Sequence, residues 1–256
     1  MNKWDKELKS AIYAVEKAGQ LLNDHFEKKM SIIRKSAKEF VTEIDLESQS
    51  IIIESLKNDF PEYHFYTEES RNNKPIKGLT WVIDPIDGTH NYISGLTNVG
   101  ISVALISEED FHVGVLFFPM KSMILYAING QGSFCNGDPI QVSKNKDLSK
   151  SMVAYDNQFH LSPDAFNKFE KITASIFTIR IFGVATWDIA LIAMGKIDAR
   201  IWNNTKLVDV AAGYVILKEA GGQMTDFNSQ SLSLNPFNLI ASNGYLHKDL
   251  VNILKD

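Results

Sequence analysis

Two aspartates three residues apart, Asp84 and Asp87, follow an apolar run in the segment 81–89, whose sequence is WVIDPIDGT. The β-branched residues of this run predict a strand that carries Asp84 to the edge of a sheet. Pro85 stiffens the following turn because its φ is fixed. At this spacing two carboxylates lie about 5–6 Å apart in a helical or turn geometry. They repel each other unless a cation lies between them, and Mg²⁺ prefers such hard oxygen ligands. The segment therefore predicts a magnesium site.

Gly88 and Thr89 follow directly and add a second kind of site. A glycine lets a ligand approach the backbone closely, and the N–H groups of a turn or of a helix N-terminus face an anion. Metal and phosphate sites thus fall in one short segment, which is the arrangement that hydrolysis of a phosphate ester requires. The alternative is that Asp84 and Asp87 merely stabilise a turn, because Asp-Pro and Asp-Gly are both common turn dipeptides.

The rest of the chain predicts alternating helices and strands that would position these residues. In the first half we expect helices at 4–26 and from Asp45 to near Asp59, strands at 32–34, 40–42, 63–67, 80–83, 100–106, 112–118 and 123–128, and a hairpin turn at Asn136-Gly137. In the second half we expect strands at 153–155, 177–182 and 199–202, with helices at 163–175, 187–194 and 210–220. We interpret residues 1–256 as a single domain with two α/β subdomains, about 1–145 and 146–256.

The composition excludes several other classes of function. Of 256 residues, 45% are hydrophobic and 22% are charged, which is typical of a soluble globular protein. A net charge of −5 provides no basic surface for a nucleic acid or an anionic membrane. Cys135 is the single cysteine, so the chain has no internal disulfide and no cysteine-rich zinc site. Because the sequence has no signal peptide and no apolar run of about 20 residues, we expect a cytoplasmic location.

Several stretches together resemble the inositol monophosphatase family. The segment 84–89 (DPIDGT), preceded by TEES at 67–70, is similar to the family's signature. Upstream, the stretch 40–45 (FVTEID) is similar to the family segment that ends in an active-site aspartate. Downstream, DVAAG at 209–213, EAGG at 219–222 and ASN at 241–243 resemble its C-terminal motif. The resemblance covers nearly the whole chain, and its combined motifs are highly specific.

The resemblance implies a fold and an activity. The implied fold is α/β, a layered αβαβα sandwich of two α/β subdomains. The implied activity is Mg²⁺-dependent, lithium-sensitive hydrolysis of a small phosphorylated metabolite by a homodimer. Two to three magnesium ions are implied, for which Mn²⁺ is a substitute. A regulatory binding protein that keeps this fold without turnover is the alternative from another class of function.

The resemblance also assigns roles to residues. Glu68, Asp84 and the Ile86 carbonyl would hold one ion, while Asp84, Asp87 and Asp209 would hold a second, and a third, weaker ion would lie near Glu68. The implied catalytic residues are Glu68, Thr89 and Asp45, of which Asp45 supports the other two in orienting the attacking water. The residues implied to bind the substrate are Ile86, Asp87, Gly88, Thr89, Gly183, Val184, Ala185, Trp202 and Asp209.

Two positions depart from the family pattern. Val208 replaces a tryptophan that normally precedes the last metal aspartate, and Trp202 replaces a glutamate that contacts inositol seven residues before that aspartate. The second departure bears on the substrate, because a carboxylate that accepts hydrogen bonds from ring hydroxyls is lost. Inositol monophosphate remains the leading substrate. Fructose 1,6-bisphosphate, 3′-phosphoadenosine 5′-phosphate and histidinol phosphate are the alternatives.

Other acids compete with the assigned ones. Asp188, within WDIA at 187–190, imitates the C-terminal motif locally, but EAGG does not follow it at the right spacing. We therefore assign the metal site to Asp209 and interpret Asp188 as a residue near a helix start, where the helix dipole stabilises it. Glu69 adjoins Glu68, and we rank it second because neighbouring side chains on a strand face opposite ways. Arg34 and Lys35 are candidates for steering phosphate or for a solvated surface.

Overall fold

The computed structural model describes residues 3–34, 40–68, 76–108, 110–159 and 164–255. Lys35 and Glu69, two of the sequence-based candidates, lie outside these ranges. The chain forms a large and a small β-sheet with helices between them and on both outer sides. None of the helices in the described residues is long and apolar enough to cross a membrane.

The first half of the chain builds a seven-stranded sheet in the order β3-β4-β5-β6-β7-β8-β9. Its strands are β3 (His64–Thr67), β4 (Thr80–Asp87), β5 (Gly100–Ile106), β6 (Phe111–Phe118), β7 (Met123–Ile128), β8 (Ser133–Cys135) and β9 (Asp138–Pro139). β3 and β4 are parallel, and the remaining pairs are antiparallel. A separate ribbon pairs β1 (Ile32–Arg34) with β2 (Phe40–Thr42), and the helices of this half are α1 (Asp5–His25), α2 (Glu43–Asp59) and α3 (Thr89–Ile93).

The second half builds a five-stranded sheet in the order β11-β10-β12-β14-β13. Its strands are β10 (Met152–Tyr155), β11 (Thr178–Arg180), β12 (Ala199–Trp202), β13 (Gln223–Thr225) and β14 (Leu239–Ser242). Its helices are α4 (Ala165–Ser175), α5 (Ala185–Ala193), α6 (Leu207–Glu219) and α7 (His247–Lys255). β10 is parallel to both β11 and β12, so these strands end at the same edge of the sheet.

Three hydrophobic cores define five layers. One core joins α1 and α2 to a face of the large sheet, a second encloses α5 and α6 between the two sheets, and a third joins α4 and α7 to the outer face of the small sheet. Alternation along β4 explains how one strand serves two cores: Trp81 and Ile83 contribute to the first and Val82 to the second. The predicted αβαβα sandwich is therefore confirmed.

The central helix α6 approaches the large sheet unusually closely. A Cβ added to Gly114 of β6 would lie 2.3 Å from the carbonyl oxygen of Ala212, so glycine is required at this contact. The helix is buried on nearly every side, which explains why its sequence is apolar without a polar stripe. α6 thereby forms a rigid connection between the two sheets, and its first turn carries Asp209.

Most predicted elements are present, with differences at their ends. α2 begins at Glu43 instead of Asp45 and α6 at Leu207 instead of Val210. Asp45 and Asp209 are the third residues of these helices and accept hydrogen bonds from the N–H groups of the preceding cap residues, Thr42 and Lys206. α5 begins at Ala185, and β11 is confined to Thr178–Arg180. The predicted Asn136-Gly137 turn is confirmed, since both residues have positive φ. α3, β13, β14 and α7 were not predicted from the sequence.

Candidate active site

The acidic segment at the end of β4 is not the simple turn that the sequence predicts. β4 does not end at Ile83 but continues to Asp87, with a bulge: Asp84 pairs with Ser102 and Asp87 pairs with Gly100 of β5. Pro85 and Ile86 of β4 thus oppose the single residue Ile101 of β5, and this extra residue bends the strand and redirects its side chains. The Ile86 N–H donates to Asp84 Oδ1 at 3.1 Å and fixes that carboxylate.

Gly88 makes the transition from β4 to α3. Its φ is +94°, in the left-handed region that favours glycine. A Cβ at this position would lie 2.7 Å from Val184 Cγ2 and 3.2 Å from the Asn98 carbonyl oxygen. Both conformation and space therefore require glycine here, and the backbone beside Asp87 stays uncovered by a side chain.

Asp45 lies behind Thr89 and holds its hydroxyl. The Thr89 Oγ1–H donates to Asp45 Oδ1 at 3.0 Å, and the same oxygen lies 3.2 Å from the Ile86 carbonyl. Asp45 itself is fixed by the capping box of α2, in which the N–H and the hydroxyl of Thr42 donate to Oδ2 at 2.8 and 2.6 Å. Because Asp45 accepts the Thr89 proton, the lone pairs of that hydroxyl are directed away from Asp45.

Asp87 and Asp209 each accept hydrogen bonds from residues at the start of a helix of the second half. The Thr186 N–H of α5 donates to Asp87 Oδ2 at 2.6 Å. Asp209 Oδ2 accepts from the Lys206 N–H at 3.0 Å and from Thr205 Oγ1 at 3.3 Å. The carboxylates thus come from both halves of the chain and meet where α5 and α6 begin, next to the end of β4.

We define the acidic cluster as Glu68, Asp84, Asp87 and Asp209, and its three aspartates have raised pKa values. Burial, followed by the charges of the other three members, raises the pKa of Asp84 well above its ordinary value. Burial and the Asp209 charge raise the pKa of Asp87 to about 7. Burial raises the pKa of Asp209 to about 6, against the hydrogen bond from the Lys206 N–H. Such mutual destabilisation of like charges is relieved by a cation.

A cavity of about 750 Å³ opens above the cluster. Its walls include most of the predicted site residues: Glu68, Asp84, Ile86, Asp87, Gly88, Thr89, Gly183, Ala185, Trp202 and Asp209. Two predicted residues lie behind the wall. Asp45 is 2% exposed and reaches the cavity through Thr89, and the buried Val184 side chain faces Gly88.

The cavity also contains residues that the sequence did not single out as site residues. Asp156, Asn157 and Gln158 follow β10, and Asn204, Thr205 and Lys206 follow β12. Because β10 and β12 are parallel neighbours, these polar runs meet at one sheet edge. Ligands commonly bind outside the carboxyl ends of parallel strands, so a polar run directly after each apolar strand was the signal that could have found them.

Asp188 occupies a different environment from Asp209, although both lie in the first turn of a helix. Its carboxylate is fully buried and accepts from Arg200 Nη1, which also donates to the Tyr155 carbonyl at 2.7 Å. Burial raises the pKa of Asp188 to about 6, and the Arg200 charge opposes that increase. The Arg200 guanidinium lies 5.0 Å from the centre of the Trp202 ring, which is 2% exposed. Trp202 therefore packs in the core and contributes to the cavity wall.

The donor chemistry of the acidic cluster fits a hard divalent cation. Its oxygen donors are the carboxylates and the neighbouring Ile86 carbonyl. The raised pKa values of Asp84, Asp87 and Asp209 reflect burial and neighbouring negative charges. Within the described ranges, no group of three or more Asp, Glu, His or Cys side chains is arranged so that it could hold a metal ion as it stands. Backbone N–H groups hold one oxygen each of Asp84, Asp87 and Asp209.

Comparisons with known proteins agree with this geometry. The sequence model described as the inositol monophosphatase family matches residues 3–256. A Thermotoga maritima relative named fructose-1,6-bisphosphatase/inositol-1-monophosphatase is 34% identical over 96% of this chain and 94% of its own. The Nus factor SuhB of Pasteurella multocida is 30% identical over 96% of this chain and 94% of its own. A solved Thermotoga maritima IMPase superposes with a TM-score of 0.89 at 33% identity, covering 98% of this chain and 97% of that one.

Proposed function

Since the chain belongs to the inositol monophosphatase family, a family of phosphatases, we propose that it is a Mg²⁺-dependent phosphomonoester hydrolase whose leading substrate is an inositol monophosphate. The observation that carries the proposal is the meeting of Asp84, Asp87 and Asp209 in one cavity beside Gly88 and Thr89. Burial and neighbouring negative charges raise the pKa values of these aspartates, so the protein alone leaves their charges poorly balanced. A small phosphorylated metabolite fits a polar cavity of about 750 Å³.

The proposed metal ligands divide between two principal sites. Glu68, Asp84 and the Ile86 carbonyl would hold one magnesium ion, and Asp84 would share a second with Asp87 and Asp209; a third, weaker ion would bind near Glu68. When bound, the ions would lower the pKa of the attacking water and stabilise the charge of the departing oxygen. Mn²⁺ has similar preferences for oxygen ligands and is the proposed substitute.

Thr89 is proposed to position the attacking water. Its hydroxyl proton is directed to Asp45 Oδ1, so its oxygen can accept a hydrogen bond from a water in the cavity. Asp45 stays in place because the capping box of α2 holds its other oxygen. Glu68 lies on the same cavity wall and is the second proposed acceptor.

The backbone at Gly88 and Thr89 is proposed to bind the phosphate of the substrate. Gly88 has no side chain to cover the approach, and its left-handed conformation is followed directly by α3. Gly183, Val184 and Ala185 precede or begin α5 and are proposed to border the same group. Val184 would act by packing against Gly88, because its side chain is fully buried.

The candidate substrates differ in the alcohol that leaves when phosphate is released. Trp202 is almost fully buried, so it offers a packed wall where relatives use a carboxylate to accept hydrogen bonds from inositol hydroxyls. Fructose 1,6-bisphosphate is the second candidate, supported by the name of the Thermotoga maritima relative. The residual candidates are 3′-phosphoadenosine 5′-phosphate and histidinol phosphate, which proteins of this architecture hydrolyse.

A regulatory binding role is the candidate from another class, and the SuhB relative, named as a Nus factor, favours it. Retention of the complete set of predicted metal carboxylates in one cavity supports catalysis instead.

A homodimer, lithium sensitivity and a cytoplasmic location complete the proposal. Sedimentation equilibrium, inhibition by lithium chloride and fractionation of cells would test these three in turn.

The decisive experiment measures release of inorganic phosphate with Mg²⁺ from the four candidate substrates, in parallel for the wild type and for Asp84→Asn. We expect the wild type to hydrolyse at least one substrate and the variant to hydrolyse none. If no ester is cleaved and Mg²⁺ binding is also absent, the proposed function is wrong. Mg²⁺ binding without cleavage of any ester would favour the regulatory role.

A further inference from the structure

Lys206 lies at the mouth of the cavity and faces acids from both halves of the chain. Its Nζ is 3.4 Å from Glu68 Oε1, at the end of β3, while its own N–H donates to Asp209 Oδ2 at 3.0 Å. The Lys206 charge also lowers the pKa of Asp209, although burial outweighs this effect. The lysine therefore stands between two members of the acidic cluster that are distant in sequence.

The basic side chains among the cavity residues that the structure describes are His90, Arg200 and Lys206. Arg200 is buried and bound to Asp188 and to the Tyr155 carbonyl, so its charge is already compensated. The Lys206 side chain is 51% exposed and its Glu68 partner 22% exposed. A long, half-exposed ammonium can move into solvent at little cost, which distinguishes Lys206 from Arg200.

We infer that Lys206 is a built-in counter-cation of the acidic cluster, which holds Glu68 until a divalent ion binds and must release Glu68 when it does. The inference rests on the proposed metal-dependent function. Its physical basis is competition, because an ammonium and a divalent ion would use the same carboxylate and repel each other. Lys206 would thus be a positioning residue that sets the metal concentration at which the site fills.

The expected size of the effect is modest. An ion pair of this exposure contributes little by itself, and the repulsion between the ammonium and the bound ion is screened by the solvent at the cavity mouth. Removing the positive charge should therefore tighten metal binding by about threefold to tenfold. It should also widen the difference in melting temperature between the metal-free and the metal-loaded protein.

The experiment measures the dissociation constants of Mg²⁺ and Mn²⁺ by isothermal titration calorimetry for the wild type, Lys206→Met and Lys206→Arg. Methionine keeps the apolar stem and removes the charge, whereas arginine keeps the charge. Lys218→Met is the matched control. Lys218 is an exposed lysine in the last turn of α6, the helix that Lys206 precedes, and it donates to Asn129 Oδ1. It lies about 18 Å from Lys206 along the helix axis, beyond the Debye length of about 8 Å.

We expect tighter metal binding in Lys206→Met and unchanged binding in Lys206→Arg and Lys218→Met. Melting curves with and without Mg²⁺ should give the same ranking without reference to activity. The inference is overturned if Lys206→Met binds either ion no more tightly than the wild type, or if Lys218→Met shows the same gain. Absence of metal binding in the wild type itself would instead overturn the proposed function.

Discussion

Asp188 lies near the three aspartates of the acidic cluster, and the charges of these residues are balanced in different ways. Asp188 has an in-chain partner, the buried Arg200 guanidinium, which donates to its Oδ2. Burial and the charges of neighbouring carboxylates instead raise the pKa values of Asp84, Asp87 and Asp209. Both groups lie at helix starts or strand ends, so local sequence does not separate them. The comparison teaches that the balance of charge, more than burial or position, distinguishes a structural acid from a candidate ligand.

Loss of Asp84 should have the largest effect, because this residue is proposed to bridge two ions. We expect Asp84→Asn to lower kcat/KM for the best substrate at least about 1000-fold, well beyond the loss typical of outer-shell residues. The phosphate-release assay above measures it. Circular dichroism should show an unchanged fold, since asparagine keeps the shape and the acceptor for the Ile86 N–H. Residual activity above a tenth of the wild type would contradict the bridging role.

Breaking the Asp188–Arg200 ion pair should lower the stability of the fold. Arg200→Met leaves a buried carboxylate without its cation, so we expect the free energy of unfolding in urea to fall by about 3 kcal/mol. The double variant Asp188→Leu with Arg200→Met should recover most of that loss, because both charges are removed together. A fall in the free energy of unfolding of less than about 1 kcal/mol in Arg200→Met would contradict the stabilising role of the ion pair.

Magnesium should stabilise the acidic cluster and leave the Asp188–Arg200 pair unaffected. At a Mg²⁺ concentration 100 times the dissociation constant, binding should add about 2.7 kcal/mol to the free energy of unfolding. Differential scanning calorimetry would detect the increase as a higher melting temperature. Asp87→Ala should abolish the increase and Arg200→Met should retain it. An equal increase in wild type and Asp87→Ala would place the ion elsewhere.

His247 extends the comparison to a buried base, with a smaller expected effect. It bonds Thr225 Oγ1 and Ser242 Oγ, each at 2.9 Å, and burial lowers its pKa to about 4. A lowered histidine pKa means that the unfolded chain binds the proton more strongly, so stability is lost as pH falls below about 6.5. Between pH 7 and 5 this group should cost about 1–2 kcal/mol. Urea unfolding of wild type and His247→Gln at both pH values measures the difference, and identical pH slopes would refute it.

The strands and helices with strong local patterns could be predicted from the sequence. β5 and β7 have the predicted bounds because continuous apolar runs identify buried strands. α2 and α6 begin two to three residues earlier than predicted, since each first turn is set by capping hydrogen bonds. The bulge in β4 was missed, because the pairing with β5 that defines it joins residues distant along the chain.

The candidate site divides in the same way. Motif spacing predicted Asp84, Asp87, Gly88 and Thr89, the family resemblance implied Asp209, and the structure brings all five to one cavity. Arg200 was missed, because no local pattern shows that it faces Asp188 across two elements. Lys206 was missed for a similar reason, since its partner Glu68 lies 138 residues earlier in the chain.

The sequence by itself predicted the alternation of helices and strands and the acidic pair Asp84 and Asp87 from residue type, spacing and periodicity. Its resemblance to the inositol monophosphatase family implied the αβαβα layering and the role of Asp209. The tertiary structure alone decided which aspartate is paired with an arginine, which glycine is required by close packing, and which lysine faces Glu68. The physical reason is that electrostatic energy and steric exclusion depend on distances in space. Residues from separate elements acquire those distances only when the sheets and helices pack together.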